Sequence, residues 1–174
     1  YQMQFIGPPF TFGFKQLGSN CGAVGIHTAI DVSGISFWMG NDSFFQFDGA
    51  VKKIACSVQD YVFDDINTNA LGDVFCASNT DFNEVIWFYP SKNSLQIDRH
   101  VTYNYAEKLW YVGTLARSSW ADRGVYSNPY AAEFDSDDTT ATISTINGVK
   151  EGRTFVYAHE EGVNDNGSAM NCHI

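Results

Sequence analysis

Short aromatic-rich apolar runs, each closed by turn residues, recur along this chain and restrict it to antiparallel β-structure. Ile35-Ser36-Phe37-Trp38-Met39 is followed by Gly40-Asn41-Asp42, then by Phe44-Phe45-Gln46-Phe47 and Asp48-Gly49. Gly, Asn and Asp tolerate the positive φ that tight hairpins require, so strand, turn, strand, turn reads as a meander. The pattern returns at Asn83–Tyr89, a polar loop over Pro90–Gln96, Asp98–Tyr105, a turn at Ala106-Glu107-Lys108, and Leu109–Val112. Within Asp98–Tyr105, Val101, Tyr103 and Tyr105 fall on one face and Thr102 and Asn104 on the other. A third copy is predicted at Arg153–His159, ending in the turn-rich stretch Gly162–Gly167.

Between these copies the signals differ. Residues 1–22 read as short extended pieces carrying Phe5, Phe10, Phe12 and Phe14, with turns at Gly7-Pro8-Pro9 and Gly18-Ser19-Asn20. Ala23–Asp31 reads as a strand turning at Ser33-Gly34. In Ser57–Asn69, Val58, Tyr61 and Val62 sit at helical offsets and predict a short helix ending near Asp65. Residues 133–142 are polar and acidic and read as an exposed loop or an insertion.

The repeats start near Gly34, Glu84 and Arg153, 50 and 69 residues apart (84−34 and 153−84). A spacing of about 50 residues per four-stranded sheet is that of a propeller blade. The expected fold is therefore all-β: a single β-rich segment, 1–174, of antiparallel meander blades at about 23–56, 70–113 and 125–174, forming part of a β-propeller. A β-sandwich or an irregular multi-sheet domain satisfies the same pattern. Two or three blades do not close a ring and leave sheet edges open. A longer parent polypeptide, or completion by several chains, is therefore expected; a start at Tyr1 and a strand-like Asn171–Ile174 agree, although a processed mature protein would also begin this way.

Twenty acidic residues against ten basic ones give a net charge of −10, which disfavours a conventional nucleic-acid reader or an anionic-membrane binder. The 16% aromatic content suits β-structure, interfaces or sugar binding rather than disorder. Cys21, Cys56, Cys76 and Cys172 form no C-x-x-C pair, and their irregular spacing suits free, buried thiols better than a disulfide framework. No apolar run approaches the roughly 18 residues of a membrane helix.

Residues that carry chemistry are present but scattered. His27, His100, His159 and His173 show no metal-ligand spacing. The pairs Asp64-Asp65, Asp137-Asp138 and Glu160-Glu161 would point to opposite faces of a strand, which does not suit a cooperating acid and base. Asp135 and Asp137 could share a face but lie in the acidic stretch, and Asp98, Glu84 and Glu107 read equally well as solvated edge charges. Asn164-Asp165-Asn166-Gly167 resembles the start of a calcium loop without its closing Glu and reads as a turn. Cys21 and His27 belong to no nucleophile motif. Asn41-Asp42-Ser43 and Asn166-Gly167-Ser168 match the glycosylation triplet, which only a secreted eukaryotic chain would use. Trp38, Trp87 and Trp110 sit inside apolar strands and are expected in the core; Trp120 lies elsewhere. No catalytic, cofactor-binding or metal-ligating residue is assigned, and no enzyme activity is expected.

Several longer stretches carry a resemblance: Phe37-Trp38-Met39-Gly40 with Phe45–Gly49, Asp81–Ser91, Tyr103-Asn104-Tyr105, Trp110–Arg117 and His159–Gly162. In this order they resemble the tail hub or nozzle proteins of short-tailed bacteriophages, also called packaged-DNA stabilisation proteins, over roughly Phe5–Met170. The resemblance implies a β-propeller-bearing virion protein. It would form a homo-oligomeric ring below the portal and adaptor, assemble in the bacterial host cytoplasm, and pass viral DNA without sequence-specific binding while helping to retain the genome. It implies no cofactor, no membrane and no catalytic residue. The acidic stretch 133–142 and Glu160-Glu161 would then be lumen or rim features, since a negative wall repels phosphate. Two other classes remain open: a carbohydrate-binding or receptor-binding propeller, which would cluster exposed aromatics at one rim, and a glycoside hydrolase, which would hold two carboxylates across a cleft.

Overall fold

The computed structural model describes residues 1–135, 153–161, 164–165 and 168–169. In chain order the strands and the α-helix are β1 (Gln2–Phe5), β2 (Phe12–Lys15), β3 (Ala29–Val32), β4 (Ile35–Met39), β5 (Phe44–Phe47), β6 (Val51–Ile54), α1 (Gln59–Asp65), β7 (Phe75–Asn79), β8 (Glu84–Tyr89), β9 (Arg99–Asn104), β10 (Leu109–Thr114), β11 (Ser119–Ala121), β12 (Tyr130–Asp135), β13 (Arg153–Ala158), β14 (Asn164–Asp165) and β15 (Ser168–Ala169), with short 3-10 turns at Thr68–Asp73 and Thr80–Phe82. Every pairing between these strands is antiparallel and joins sequence neighbours. The all-β, antiparallel meander is therefore as expected. The residues group into two units, Tyr1–Ala116 and Arg117–Ile174.

The first unit contains two four-stranded meanders, β3-β4-β5-β6 and β7-β8-β9-β10, and the hairpin β1-β2. Turn chemistry sets the register of the first sheet. Ser33 and Gly34 both take positive φ, +54° and +79°, as a two-residue hairpin demands, and Val32 then faces Ile35. That register puts Ile30, Phe37, Met39, Phe44 and Ile54 on one face. The second sheet's register puts Val85, Trp87, Val101, Tyr103 and Trp110 on one face.

These two faces meet. Phe44 lies 4.8 Å from Trp87 and 4.6 Å from Trp110, and Phe37 lies 6.2 Å from Tyr103 and stacks on Tyr105 at 5.8 Å. Phe37, Met39, Phe44, Val85, Trp87 and Val101 are essentially sealed from solvent. Each such side chain contributes about 1.5–3 kcal/mol by leaving water. Trp87 Nε1–H donates to the Thr28 carbonyl at 3.0 Å, which leaves neither polar group orphaned between the sheets. At one edge β3 lies beside β7, and His27 bridges to Phe75 in parallel.

The helix expected near Asp65 is α1, a single short element over Gln59–Asp65 that buries Val62. The alternation predicted for Asp98–Tyr105 also holds: Val101 and Tyr103 enter the core, Tyr105 packs against it, and Thr102 and Asn104 lie opposite. Thr102 and Asn104 are buried nonetheless. Asn104 is satisfied by its own turn, with Oδ1 accepting from the Ala106 and Glu107 amides at 3.1 and 2.9 Å and Nδ2 donating to the Phe82 carbonyl at 2.9 Å.

Three expectations are corrected. Ala23–Asp31 is a strand only from Ala29. Before it, Thr28 Oγ1–H donates to the Gly25 carbonyl at 2.9 Å, and a Cβ on Gly25 would stand 2.8 Å from the Leu71 carbonyl oxygen, so the segment is a tight local loop. Residues 133–135 are not exposed loop but the end of β12; the rest of 133–142 lies outside the described residues. Of the three tryptophans expected in the core, Trp87 is fully buried, Trp110 packs against the core half-buried, and Trp38 is half-buried; Trp38 and Trp110 send their indole N–H groups to the Cys21 and Ala55 carbonyls, each at 2.8 Å.

In the second unit, β11-β12-β13 form a three-stranded meander and β14 pairs with β15. The strand predicted at Arg153–His159 is β13. The third blade expected over 125–174 falls in part on residues outside those described.

Candidate functional site

Among the described residues, chemistry is concentrated in two polar clusters and one apolar ribbon. The first cluster joins α1 to the second sheet. Asp98, just before β9, accepts from the Ser91 amide and the Ser91 hydroxyl, both at 2.7 Å, and so clamps the loop between β8 and β9. Arg99 stands 3.5 Å from Asp65 at the end of α1 and 3.9 Å from Asp98. Tyr89 pairs across the sheet with Arg99 and is fully enclosed. Burial and the nearby Asp65 carboxylate push its phenol well above the ordinary range, so it stays protonated. Its hydroxyl has no hydrogen-bond partner among the described residues.

Tyr89→Phe is therefore expected to leave stability unchanged or to raise it by up to about 1 kcal/mol, because it removes a desolvated hydroxyl with no hydrogen-bond partner among the described residues. Urea titration of the full chain measures this. A loss of more than about 1 kcal/mol would show instead that the hydroxyl is bonded in solution.

The second cluster lies within the second unit. Buried Arg117 donates from Nη1 to Glu133 at 2.9 Å and from Nε to His159 Nε2 at 3.1 Å, and its guanidinium lies 4.3 Å over the Tyr157 ring. Trp120 packs 4.6 Å from the His159 ring. Desolvation first, and the Arg117 charge second, push His159 down to about 4, so at neutral pH it is an uncharged acceptor. Arg117 is thus held from three sides, an arrangement that locks strands together.

The remaining sequence candidates are dispersed. Glu84 lies 3.4 Å from Asn79 Nδ2, Glu107 is exposed in the β9–β10 turn, and Asp64 is exposed on α1. His27 serves the edge bridge, and His100 sits beside Thr102 at 3.1 Å with burial lowering its pKa. Cys21 contributes its carbonyl to Trp38, a contact separate from that of His27. Cys21, Cys56 and Cys76 are free and partly buried; burial pushes Cys56 up to about 11 and Cys76 well up, which makes both poor nucleophiles. Asn41 is exposed in its turn while Ser43 is buried. Asp137-Asp138, Asn166-Gly167, Cys172 and His173 lie outside the described residues. Among the described residues no group of three or more His, Cys, Asp or Glu side chains could hold a metal ion, and no helix is long and apolar enough to cross a membrane. No protein-family model matches the chain, and no curated protein matches it.

Sequence reasoning missed the Arg117 cluster. Its members are 16 and 42 residues apart, and the only local signal was the alternation that runs Ala131 and Glu133 onto one face of β12.

The third feature is the hairpin. Met3 pairs with Phe14 and Phe5 with Phe12, so these four rings and chains share one face, while Gln2, Gln4 and Lys15 occupy the other. Phe5 and Phe12 touch edge to face at 6.0 Å. All four apolar side chains are exposed by half or more.

Proposed function

We propose that this chain is a structural virion protein of a bacteriophage tail: a hub or nozzle subunit of β-propeller architecture that assembles into a homo-oligomeric ring and conducts packaged DNA. The observation that carries the reading is the stacking in the first unit. Two four-stranded meanders with sequential strand order lie face to face, and their first strands, β3 and β7, are neighbours. Successive propeller blades pack in this way. The ordered stretches from Phe37 to Gly162 that resemble the nozzle family support the same reading, and a net charge of −10 suits a wall past which phosphate must slide. Free thiols suit assembly in a reducing bacterial cytoplasm. The polar clusters act as braces under this reading, and no residue is given a catalytic role.

The alternative is a carbohydrate-binding module, supported by the exposed aromatics of the hairpin. The two readings separate on one experiment. Purified particles of the phage that encodes the chain are dissociated and their tail fraction is analysed by mass spectrometry. The tail reading expects peptides of this chain at a fixed copy number per particle. Absence from purified particles, with a glycan-dependent rise in melting temperature of the isolated protein, would transfer the assignment to glycan binding.

A further inference from the structure

We propose that the apolar face of the hairpin β1-β2 docks on a second copy of this chain. This deepens the ring-forming reading by naming a subunit contact. Strict alternation gives the ribbon one face of Met3, Phe5, Phe12 and Phe14 and another of Gln2, Gln4 and Lys15. These apolar side chains are 50–71% exposed. A two-stranded ribbon is at best marginally stable alone in water, so a one-sided apolar ribbon implies a cover. At 150–250 Å² per aromatic side chain, the exposed part of this face amounts to roughly 400–550 Å². That is about half to two-thirds of the ~800 Å² each partner contributes to a standard protein–protein interface, enough for its central patch, and its aromatic composition is that of interface hot spots.

Charge selects the occupant. Residues 1–30 hold one base, Lys15, and no acid; the remaining residues hold 9 bases and 20 acids, a balance of −11. The hairpin is thus the part of the chain where two copies repel least, and its single charge, Lys15 on the polar face, attracts an acidic neighbour through longer-range electrostatics. A second copy supplies that acidic surface, together with exposed apolar residues such as Leu109 and Tyr111 on β10. A hairpin seated on a different surface of the next copy is a head-to-tail contact, the kind that closes into rings.

The test is sedimentation velocity of the full chain, with imaging of the same samples. The parent is expected to self-associate, and the double variant Phe12→Ser, Phe14→Ser to do so roughly thirty-fold more weakly, the effect of losing a hot spot. Lys15→Glu is expected to weaken association at low salt more than at high salt, and Gln4→Ser, on the polar face, to leave it unchanged. Circular dichroism of each variant confirms that the sheets are retained. Parent-like assembly of the double variant would overturn the hairpin contact and leave the ring reading standing. Hairpin-dependent dimers without rings would sink the ring reading and leave the contact. A monomeric parent that partitions onto neutral phosphatidylcholine vesicles would overturn the contact in favour of a lipid surface.

Discussion

Trp87→Ala is expected to remove most of the stability of the first unit. Trp87 is fully buried on β8, lies 4.8 Å from Phe44, stacks toward Trp110 at 6.1 Å, and donates its indole N–H to Thr28 at 3.0 Å. Truncating such a side chain costs about 3–5 kcal/mol through lost transfer energy and the cavity left behind. The Thr28 carbonyl keeps the Met39 amide as a donor at 3.2 Å, so the lost indole bond adds only about 0.5–1.5 kcal/mol. Natural domains are stable by only about 5–15 kcal/mol, so the sum is decisive. Urea unfolding followed by near-ultraviolet circular dichroism measures it. Trp87→Phe keeps one aromatic ring while losing the donor and part of the ring volume, and is expected to cost visibly less. Equal costs for the two variants would mean that the hydrogen bond, not the packing, joins the sheets.

The second unit is expected to lose stability as pH falls from about 6.5 to about 4. His159 takes up its proton near 4 when folded and near its ordinary value of 6.5 when unfolded. Above 6.5 both states are neutral there, and the contribution is fully present. Between 6.5 and 4 the unfolded chain binds a proton that the folded chain refuses, so acid favours unfolding. Below about 4 both forms are charged and the loss is complete. The ring is only half-buried, and solvent screening reduces the effect to on the order of 1–2 kcal/mol. The cause is physical: a protonated ring cannot accept the Arg117 Nε–H at 3.1 Å and would face the guanidinium charge directly. His159→Asn is expected to flatten this part of the pH profile. An unchanged profile in that variant would place the acid sensitivity elsewhere.

The meanders were legible in the sequence because their determinants are local. Ser33-Gly34 must turn, Gly40-Asn41-Asp42 must turn again, and alternation around Val101 and Tyr103 assigns a face without knowledge of the partner sheet. The short helix was legible for the same reason. What stayed hidden depends on chain segments far apart. The Trp87–Thr28 bond spans 59 residues and the Trp110–Ala55 bond 55, so the sequence could place both tryptophans on strands but not state that one is sealed and the other half-open. Glu133 looked like one more charge in an acidic run; it is an ion-pair partner in a strand because Arg117 reaches it across the fold. The phenylalanines near the start of the chain were visible, whereas the gathering of Phe5, Phe12 and Phe14 on one face follows only from the register of β1 on β2.

The measurement that bears most directly on the central claim is negative-stain imaging of the full-length protein, alone and mixed with the other tail components. Rings or short tubes with an axial channel of roughly 20 Å or more, wide enough for duplex DNA, are expected. Discrete monomers that never assemble in either sample would contradict it.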